Sequence, residues 1–389
     1  MTQLKYTTEF LIIGGGVIGS AIAYHLARAG QVVLVVERDA PATAPAASWA
    51  SAGGVRRQGR DEREAALASA AIARWPSLEA ELDADLHYHQ GGQLLVAETA
   101  GEAEQLVAFV EQQHTMGFGD VRLIQGAELR ELAPALAPQV LAASYSPADG
   151  QADPARTTRA FAAAAERAGA RYLNHTACAA LRTEADRIVG AHTAQGDIYA
   201  GQTVLAAGAW SDYLAASVGL MLPIRTGVYQ MLRSTPATPG LLRPVVSALG
   251  RQLSLKQLPD GAFLLGGGWP GDATGDRTGF TLRQVSVAGG WEAGAAILPA
   301  LRTQQLEHAW CGLEAECFDG VPLLGPAVGV MGLTLAVGFS GHGFALAPAV
   351  GATVAADLLG QDAPALDALR PSRAGAFAPE LLERFRSGG

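Results

Sequence analysis

The chain has 389 residues, 37 acidic against 28 basic, for a formal net charge of -9, with 49% apolar and 17% charged residues. This is the profile of a globular protein with room for two domains or one large composite one, not of a disordered chain. It offers no basic stripe to a phosphate backbone, which argues against a nucleic-acid partner; the basic group Arg56, Arg57, Arg60 and Arg63 is interleaved with Asp61, Glu62 and Glu64 and reads mostly as the solvated start of a helix.

Phe10 to Ile13 form a short run apolar on both sides, the pattern of a buried parallel strand, and Ser20 to Arg28 carry apolar residues at helical spacing. Between them G-G-G-V-I-G matches GxGxxG at Gly14, Gly16 and Gly19. The first glycine permits the tight turn, the second lets backbone approach a pyrophosphate, and the third lets helix pack closely on strand, with the helix N-terminus facing the phosphates. Gln31 to Val36 read as a second strand ending at Glu37, where a carboxylate accepts hydrogen bonds from ribose hydroxyls. Strand, turn, helix, strand and acid together point to a dinucleotide, with NAD and FAD both open. Because Gly14 to Gly16 interrupt the amino-terminal apolar run, it reads as neither a signal peptide nor an integral membrane segment.

Beyond Glu37, a stretch rich in Pro, Ala and Ser leads to the small-residue cluster Ser51 to Gly54, which lets backbone come close to a flat ligand. Residues 62–82 and 101–116 read as helices, and Asp153-Pro154 as the N-cap and first residue of an Ala-rich helix ending near Gly169. His87 and His89 have a spacing that a metal site can use. With no acidic or cysteine partner beside them they read as a half-exposed strand, and no metal is expected. TVLAAGAWS, from Thr203 to Ser211, is a strand running into the close turn Ala207-Gly208, whereas YQMLRSTP and FLLGGGWPGD read as strands broken by turns. Residues 332–360 pass from an apolar strand through Gly338, Gly341 and Gly343 into a helix whose amides and dipole face a negative charge. Three cysteines, Cys178, Cys311 and Cys317, with no CxxC pair, fit a reduced, cytoplasmic compartment.

Taken together, the G-G-G-V-I-G turn with Glu37-Arg38, Ser48 with the Ser51-Ala52-Gly53-Gly54 turn, A-A-G-A-W-S from Ala206, W-C-G-L with Asp319 and P-L-L-G between Trp310 and Gly325, and G-F-S-G-H-G-F from Gly338 resemble the D-amino-acid-oxidase-like family of FAD enzymes over nearly the whole chain. That family includes glycine oxidase, sarcosine oxidase and the flavin subunits of opine and hydroxyproline dehydrogenases. The resemblance implies an α/β fold: a composite Rossmann-like FAD-binding domain from residues 1–78, 148–215 and 311–389, with an interleaved antiparallel-sheet substrate domain from 79–147 and 216–310. It implies a cofactor cradle of Gly14, Gly16, Val17, Ile18, Gly19, Glu37, Arg38, Ser48, Ser51, Ala52, Gly53, Gly54, Cys178, Ala207, Gly208, Trp210, Gly338, Gly341, His342, Gly343 and Phe344.

The chemistry so implied is oxidation of the C–N bond of a small-molecule amine or amino acid, N-substituted or D, by hydride transfer to flavin N5, giving an imine that hydrolyses. His342, Arg56 and Lys256 are the candidate catalytic residues, for the flavin face or the substrate, with a backbone-held turn histidine and a surface arginine as the plain alternatives for the first two. The Gly341–Phe344 turn is the candidate stabiliser of the reduced flavin. An alternative role is the flavin subunit of a multicomponent opine or imino-acid dehydrogenase with an iron–sulfur electron-transfer partner. A purely NAD-dependent enzyme has no need of the distant turn at 338–344.

The chain also departs from its relatives. Ala345 stands where sarcosine oxidases have a carboxylate-gripping lysine, and Glu314 where glycine oxidase and D-arginine dehydrogenase have an arginine. Either another cation, Lys256, Arg251 or Arg225, replaces these anchors, or the substrate is not a simple small amino acid; Glu314 itself either receives a cationic group or points outward. Leu264 replaces the lysine that some oxidases use to activate oxygen, which favours another electron acceptor. Cys311 lies one position from the cysteine that links flavin in monomeric sarcosine oxidases, so non-covalent FAD is expected. Tyr229, Trp269 and Trp291 are candidate pocket walls whose default is core packing, and Arg57 is expected to be exposed.

Overall fold

A computed structural model describes residues 4–376, 380 and 383–385, so residues 1–3 and parts of the carboxyl tail of the expected 311–389 segment lie outside the described residues. The apolar run at the start becomes strand β1 (Leu4–Ile13), and the glycine turn passes into helix α1 (Val17–Arg28), which begins at Val17 rather than Ser20. Strand β2 (Val33–Val36) follows, buried throughout, as a strand covered on both faces must be. Glu62–Glu64 form a single 3-10 turn before helix α2 (Ala65–Leu82), and the Asp153 side chain caps helix α3 (Pro154–Arg167) by accepting the Arg156 N–H. Strands β3 (Gly196–Leu205), β4 (Ile224–Ser234), β5 (Leu306–Cys317) and β6 (Leu333–Val337) and helix α4 (Gly343–Leu358) complete the frame. The segment YQMLRS runs unbroken within β4.

Two eight-stranded sheets organise the molecule. The first runs in the order Leu323–Pro326, β6, β3, β1, β2, Arg171–Leu173, parallel from β6 onward, with Ile12 paired to both Val204 and Val35. A hairpin, Cys178–Glu184 with Arg187–Thr193, adds antiparallel to β3. Helices α1, α3, α4 and α2 cover one face and share a core of Ile22, Leu26, Phe161, Trp75 and Val350. Gly351 allows the close crossing of α1 and α4, since a Cβ there would fall 2.7 Å from the Cβ of Ala21.

The second sheet runs β5, β4, Phe263–Gly266, Ser254–Gln257, Val245–Ala248, Gln93–Ala97, Ala142–Ser146, Arg122–Gln125. It is antiparallel except where Val245–Ala248 pairs parallel to Gln93–Ala97, a mixture that a purely antiparallel expectation misses because these two strands come from separate segments of chain. Three of the expected domain cuts fall inside elements: 78/79 in α2, 215/216 in the short helix Ser211–Ala216, and 310/311 in β5. β5 is an edge strand of the second sheet, paired to β4 from Leu306 to Cys317, and its far side bridges Leu313 to Ala46 and Glu316 to Phe339.

Candidate cofactor and substrate site

The glycine turn after β1 is held by contacts that exclude side chains. Gly14 has φ +108°, and a Cβ there would lie 2.4 Å from the carbonyl oxygen of Ala206; one on Gly19 would lie 1.9 Å from that of Gly14. Gly19 therefore packs helix on turn and does not line the cavity in front of it. Ser48 Oγ accepts the Val17 N–H at 3.0 Å, meeting one of the otherwise orphaned amides of the α1 N-terminus. Glu37 accepts from the Gly15 N–H at 2.7 Å and the Asp39 N–H at 3.1 Å, which fixes its carboxylate at the mouth of the turn. The Arg38 guanidinium lies over the Trp210 ring, 4.3 Å from its centroid.

From this turn a single cavity of about 890 Å³ runs between the two sheets. Gly14, Gly16, Val17, Ile18, Glu37, Arg38, Ser48 and Cys178 line one end, with Ala207, Gly208 and Trp210 beside them. Ser51, Ala52, Gly54, Arg56, Gly338, Gly341, Gly343 and Phe344 line the rest. The N-termini of α1 and α4 both open onto it, so two helix dipoles present their positive ends to one space. Ser340 and Gly341 both have positive φ, 49° and 85°, which turns the chain sharply enough to start α4 at the cavity wall.

Besides Gly19, three predicted site residues stand off the cavity. Gly53, at φ +70°, makes a backbone turn against Ala152 and lies behind the wall, where a Cβ would be 2.1 Å from the Ala152 carbonyl oxygen. Lys256 is 4% exposed and lies behind Gly53, its Nζ 3.4 Å from the Ala152 carbonyl; burial pulls its pKa down to about 8. His342 also lies off the cavity: its Nδ1 meets the fully buried Glu64 at 2.8 Å, and burial together with the Arg60 charge lowers its pKa to about 4, so the ring is neutral. It anchors the turn from behind.

The basic segment corrects the expectation of a solvated helix start. Arg60 is 5% exposed and lines the cavity, its Nε 3.3 Å from the Arg56 carbonyl and its Nη1 without a hydrogen-bond partner among the described residues. Arg56 lines the cavity too, and its Nη1 donates to the Gln58 carbonyl at 2.8 Å. Arg57 is covered, not exposed: it pairs with Asp120 and lies over the Phe118 ring. Of the other cations considered, Arg251 is tied to Glu98 away from the cavity and Arg225 to Glu316 at 2.8 Å.

β5 supplies the acidic wall. Glu314 and Glu316 alternate toward the cavity, as two-residue spacing along a strand requires. Tyr229 of β4 donates to Glu316, and Gly341 N–H donates to Glu314, so the amide expected to face the flavin is occupied by this carboxylate. Burial, with a contribution from Glu316, lifts Glu314 to about 7, against the opposing pull of the Gly341 N–H and Arg60. Of the proposed aromatic walls Tyr229 lines the cavity, while Trp269 and Trp291 do not. Cys311 is buried away from it, 3.8 Å from the Thr281 carbonyl. Sequence reasoning missed Arg60; the signal was available in a second arginine four residues past Arg56, within a glycine-flanked segment that lacks helical periodicity.

Residues 9–357 match the family model described as DAO, FAD dependent oxidoreductase. The chain belongs to this family. It is 30% identical over 376 residues to glycine oxidase of Geobacillus kaustophilus strain HTA426, covering 94% of this chain and 96% of that protein. It is 25% identical over 401 residues to the sarcosine oxidase beta subunit of an Arthrobacter species, covering 99% and 92%. Among solved structures, L-proline dehydrogenase from P. horikoshii superposes with a TM-score of 0.87 at 29% identity, covering 96% and 99% of the two chains.

FAD is the family's cofactor, and the residues present fit it. A Cβ on Gly16 would crowd Ser48 Oγ at 3.1 Å, against the hydroxyl that accepts the Val17 N–H. Trp210 and Arg60 both line the cavity, and Trp210 Nε1 and Arg60 Nη1 have no hydrogen-bond partner among the described residues. The volume lies within the usual range of cofactor sites, and two helix N-termini with two arginines suit an anionic one.

Proposed function

We propose that the chain oxidises the C–N bond of an N-substituted or α-amino acid, using FAD held non-covalently between the two sheets. The observation that carries this reading is the continuity of one cavity from the nucleotide turn at Glu37 to a mixed-charge chamber formed by Arg56, Arg60, Tyr229, Glu314 and Glu316. When bound, FAD supplies the electron sink that accepts hydride from the carbon next to nitrogen, and the resulting imine hydrolyses in water. Glu37 and the Gly14–Gly16 backbone hold the nucleotide, the start of α4 presents its positive end, and the arginines and Glu314 orient the substrate.

We also infer that the division into an FAD-binding domain and a substrate domain follows the two sheets, with β5 shared between them. Three free cysteines support a reduced, cytoplasmic location, and among the described residues no helix is long and apolar enough to cross a membrane. The test is the absorption spectrum of the purified protein, which should show bound flavin, followed by anaerobic addition of a panel of amines and amino acids. Bleaching by at least one amino acid is expected; a protein without flavin, or one that no amine bleaches, overturns the reading. Admission of air then distinguishes an oxidase from a dehydrogenase that passes electrons to a partner.

A further inference from the structure

The wall that β4 and β5 share carries a hydroxyl whose direction is fixed. Arg225, Gly227 and Tyr229 follow one another at two-residue spacing on one face of β4, in register with Glu316, Glu314 and Gly312 of β5. Because Gly227 has no side chain, the Tyr229 ring lies back across it toward Glu316: a Cβ there would fall 2.7 Å from Tyr229 Cε2 and 3.0 Å from both Tyr229 Oη and Glu316 Cδ. Tyr229 donates its hydroxyl proton to one Glu316 oxygen, and Arg225 Nε donates to the other at 2.8 Å. Burial, then Glu316 and Glu314, raise the Tyr229 pKa against the pull of Arg225, so the hydroxyl keeps its proton.

A tyrosine oxygen has one proton and two acceptor lone pairs. Here the proton is committed to Glu316, and only lone pairs remain for a molecule in the cavity that Tyr229 and Glu316 line. Such an oxygen accepts an N–H and has nothing to offer a carboxylate or a carbonyl. Glu314, on the same wall, adds negative potential, while Arg225 is engaged by Glu316 and does not line the cavity.

We propose that Tyr229 is the seat of the substrate nitrogen, accepting an amine N–H on a hydroxyl oxygen that Glu316 and Arg225 hold in the acceptor orientation. The inference rests on the proposed function and narrows its substrates to primary and secondary amines, because a neutral tertiary amine has no N–H to donate. Tyr229 touches the substrate; Glu316 and Arg225 are positioning residues that act through it.

Two measurements on the flavin-loaded protein test the seat. The first is calorimetric binding of tert-butylammonium and tetramethylammonium at neutral pH. These probes share charge and approximate size, only the first has N–H groups, and the reaction consumes neither. The preference for tert-butylammonium over tetramethylammonium should fall by about 10- to 100-fold in Tyr229→Phe. In Glu316→Gln the carboxamide oxygen turns to Arg225 and its NH2 donates to Tyr229, which frees the hydroxyl proton toward the cavity. The preference should therefore fall there too, although Tyr229 is intact. A preference unchanged in Tyr229→Phe overturns the seat, and one unchanged in Glu316→Gln overturns the fixed direction; if the Phe variant does not fold, the Gln variant decides.

The second measurement is anaerobic flavin reduction by sarcosine and by N,N-dimethylglycine, which differ by one N-methyl group. Sarcosine should be faster by about 10-fold or more in wild type, with the gap narrowing in Tyr229→Phe. Equal wild-type rates, or a gap that the variant keeps, overturn the restriction to primary and secondary amines. The two readings fail separately. If no amine reduces the flavin but the binding preference depends on Tyr229, amine oxidation falls and the nitrogen seat stands. If amines reduce the flavin and the preference is absent, the seat falls alone.

Discussion

Replacing Trp75 tests whether packing behind the site fastens the turn in front of it. Trp75, fully buried on α2, stacks on Tyr88 with centroids 5.6 Å apart, lies against Phe344 at 5.2 Å, and donates its Nε1–H to the Ala345 carbonyl at 2.9 Å. It therefore ties down the first turn of α4, which carries Gly343 and Phe344 to the cavity wall. Trp75→Ala removes the ring and the hydrogen bond and should cost about 3–5 kcal/mol, the usual range for truncating a buried aromatic. Trp75→Phe keeps most of the ring contacts. It loses a hydrogen bond worth about 1 kcal/mol and some packed volume worth about another, for a total near 2 kcal/mol. In a chain of this size each kcal/mol moves the midpoint by roughly 2 °C, so the Ala variant should melt about 6–10 °C lower and the Phe variant about 4 °C lower. The assay is thermal unfolding of the flavin-loaded protein, followed by circular dichroism and by flavin fluorescence released on unfolding. An Ala variant that melts with wild type, or a Phe variant less stable than the Ala one, would refute the argument.

Three further outcomes are expected. Glu37→Gln removes the charge at the mouth of the turn and should weaken flavin binding by about 10- to 100-fold, measured by fluorescence titration of the apoprotein. Lys256 is buried with its pKa pulled from 10.5 to about 8, so below pH 8 the folded protein carries a charge that burial penalises. Between about 8 and 10.5 the unfolded chain holds the proton that the folded one has released, and stability rises with pH; Lys256→Met should therefore be more stable by about 3 kcal/mol below pH 8, a gap that closes toward pH 10.5 in denaturant titrations. Arg277 anchors the hairpin at residues 272–281 through a bidentate pair with Asp212, at 2.7 and 3.0 Å, and by lying 4.2 Å over the Tyr213 ring. Arg277→Ala should speed proteolytic cutting within 272–281 several-fold, with the remaining fragment pattern unchanged.

The amino-terminal unit was readable without coordinates because each of its parts is local. A two-sided apolar run, a glycine at 19 where a Cβ would strike the Gly14 carbonyl, and an acid at the end of the next strand carry their own physical reasons within residues 10–37. The 338–344 turn was legible for the same reason. The polar chamber was not. Arg60 reads as solvated because it sits among acids in sequence, yet folding buries Arg60 against the cavity while Asp61 and Arg63 stay partly exposed. Lys256 reads as an available cation, and the sheet places it behind Gly53 instead.

Sequence alone determined the dinucleotide turn and the resemblance to the family, since the turn follows from backbone geometry over a few consecutive residues and the resemblance from short local motifs. Tertiary structure decided which charges share the cavity. Arg60 and Glu314 are separated by most of the chain, and both line the cavity because β5, paired to β4 along its length, also bridges Leu313 to Ala46 and Glu316 to Phe339, contacts between segments distant in sequence.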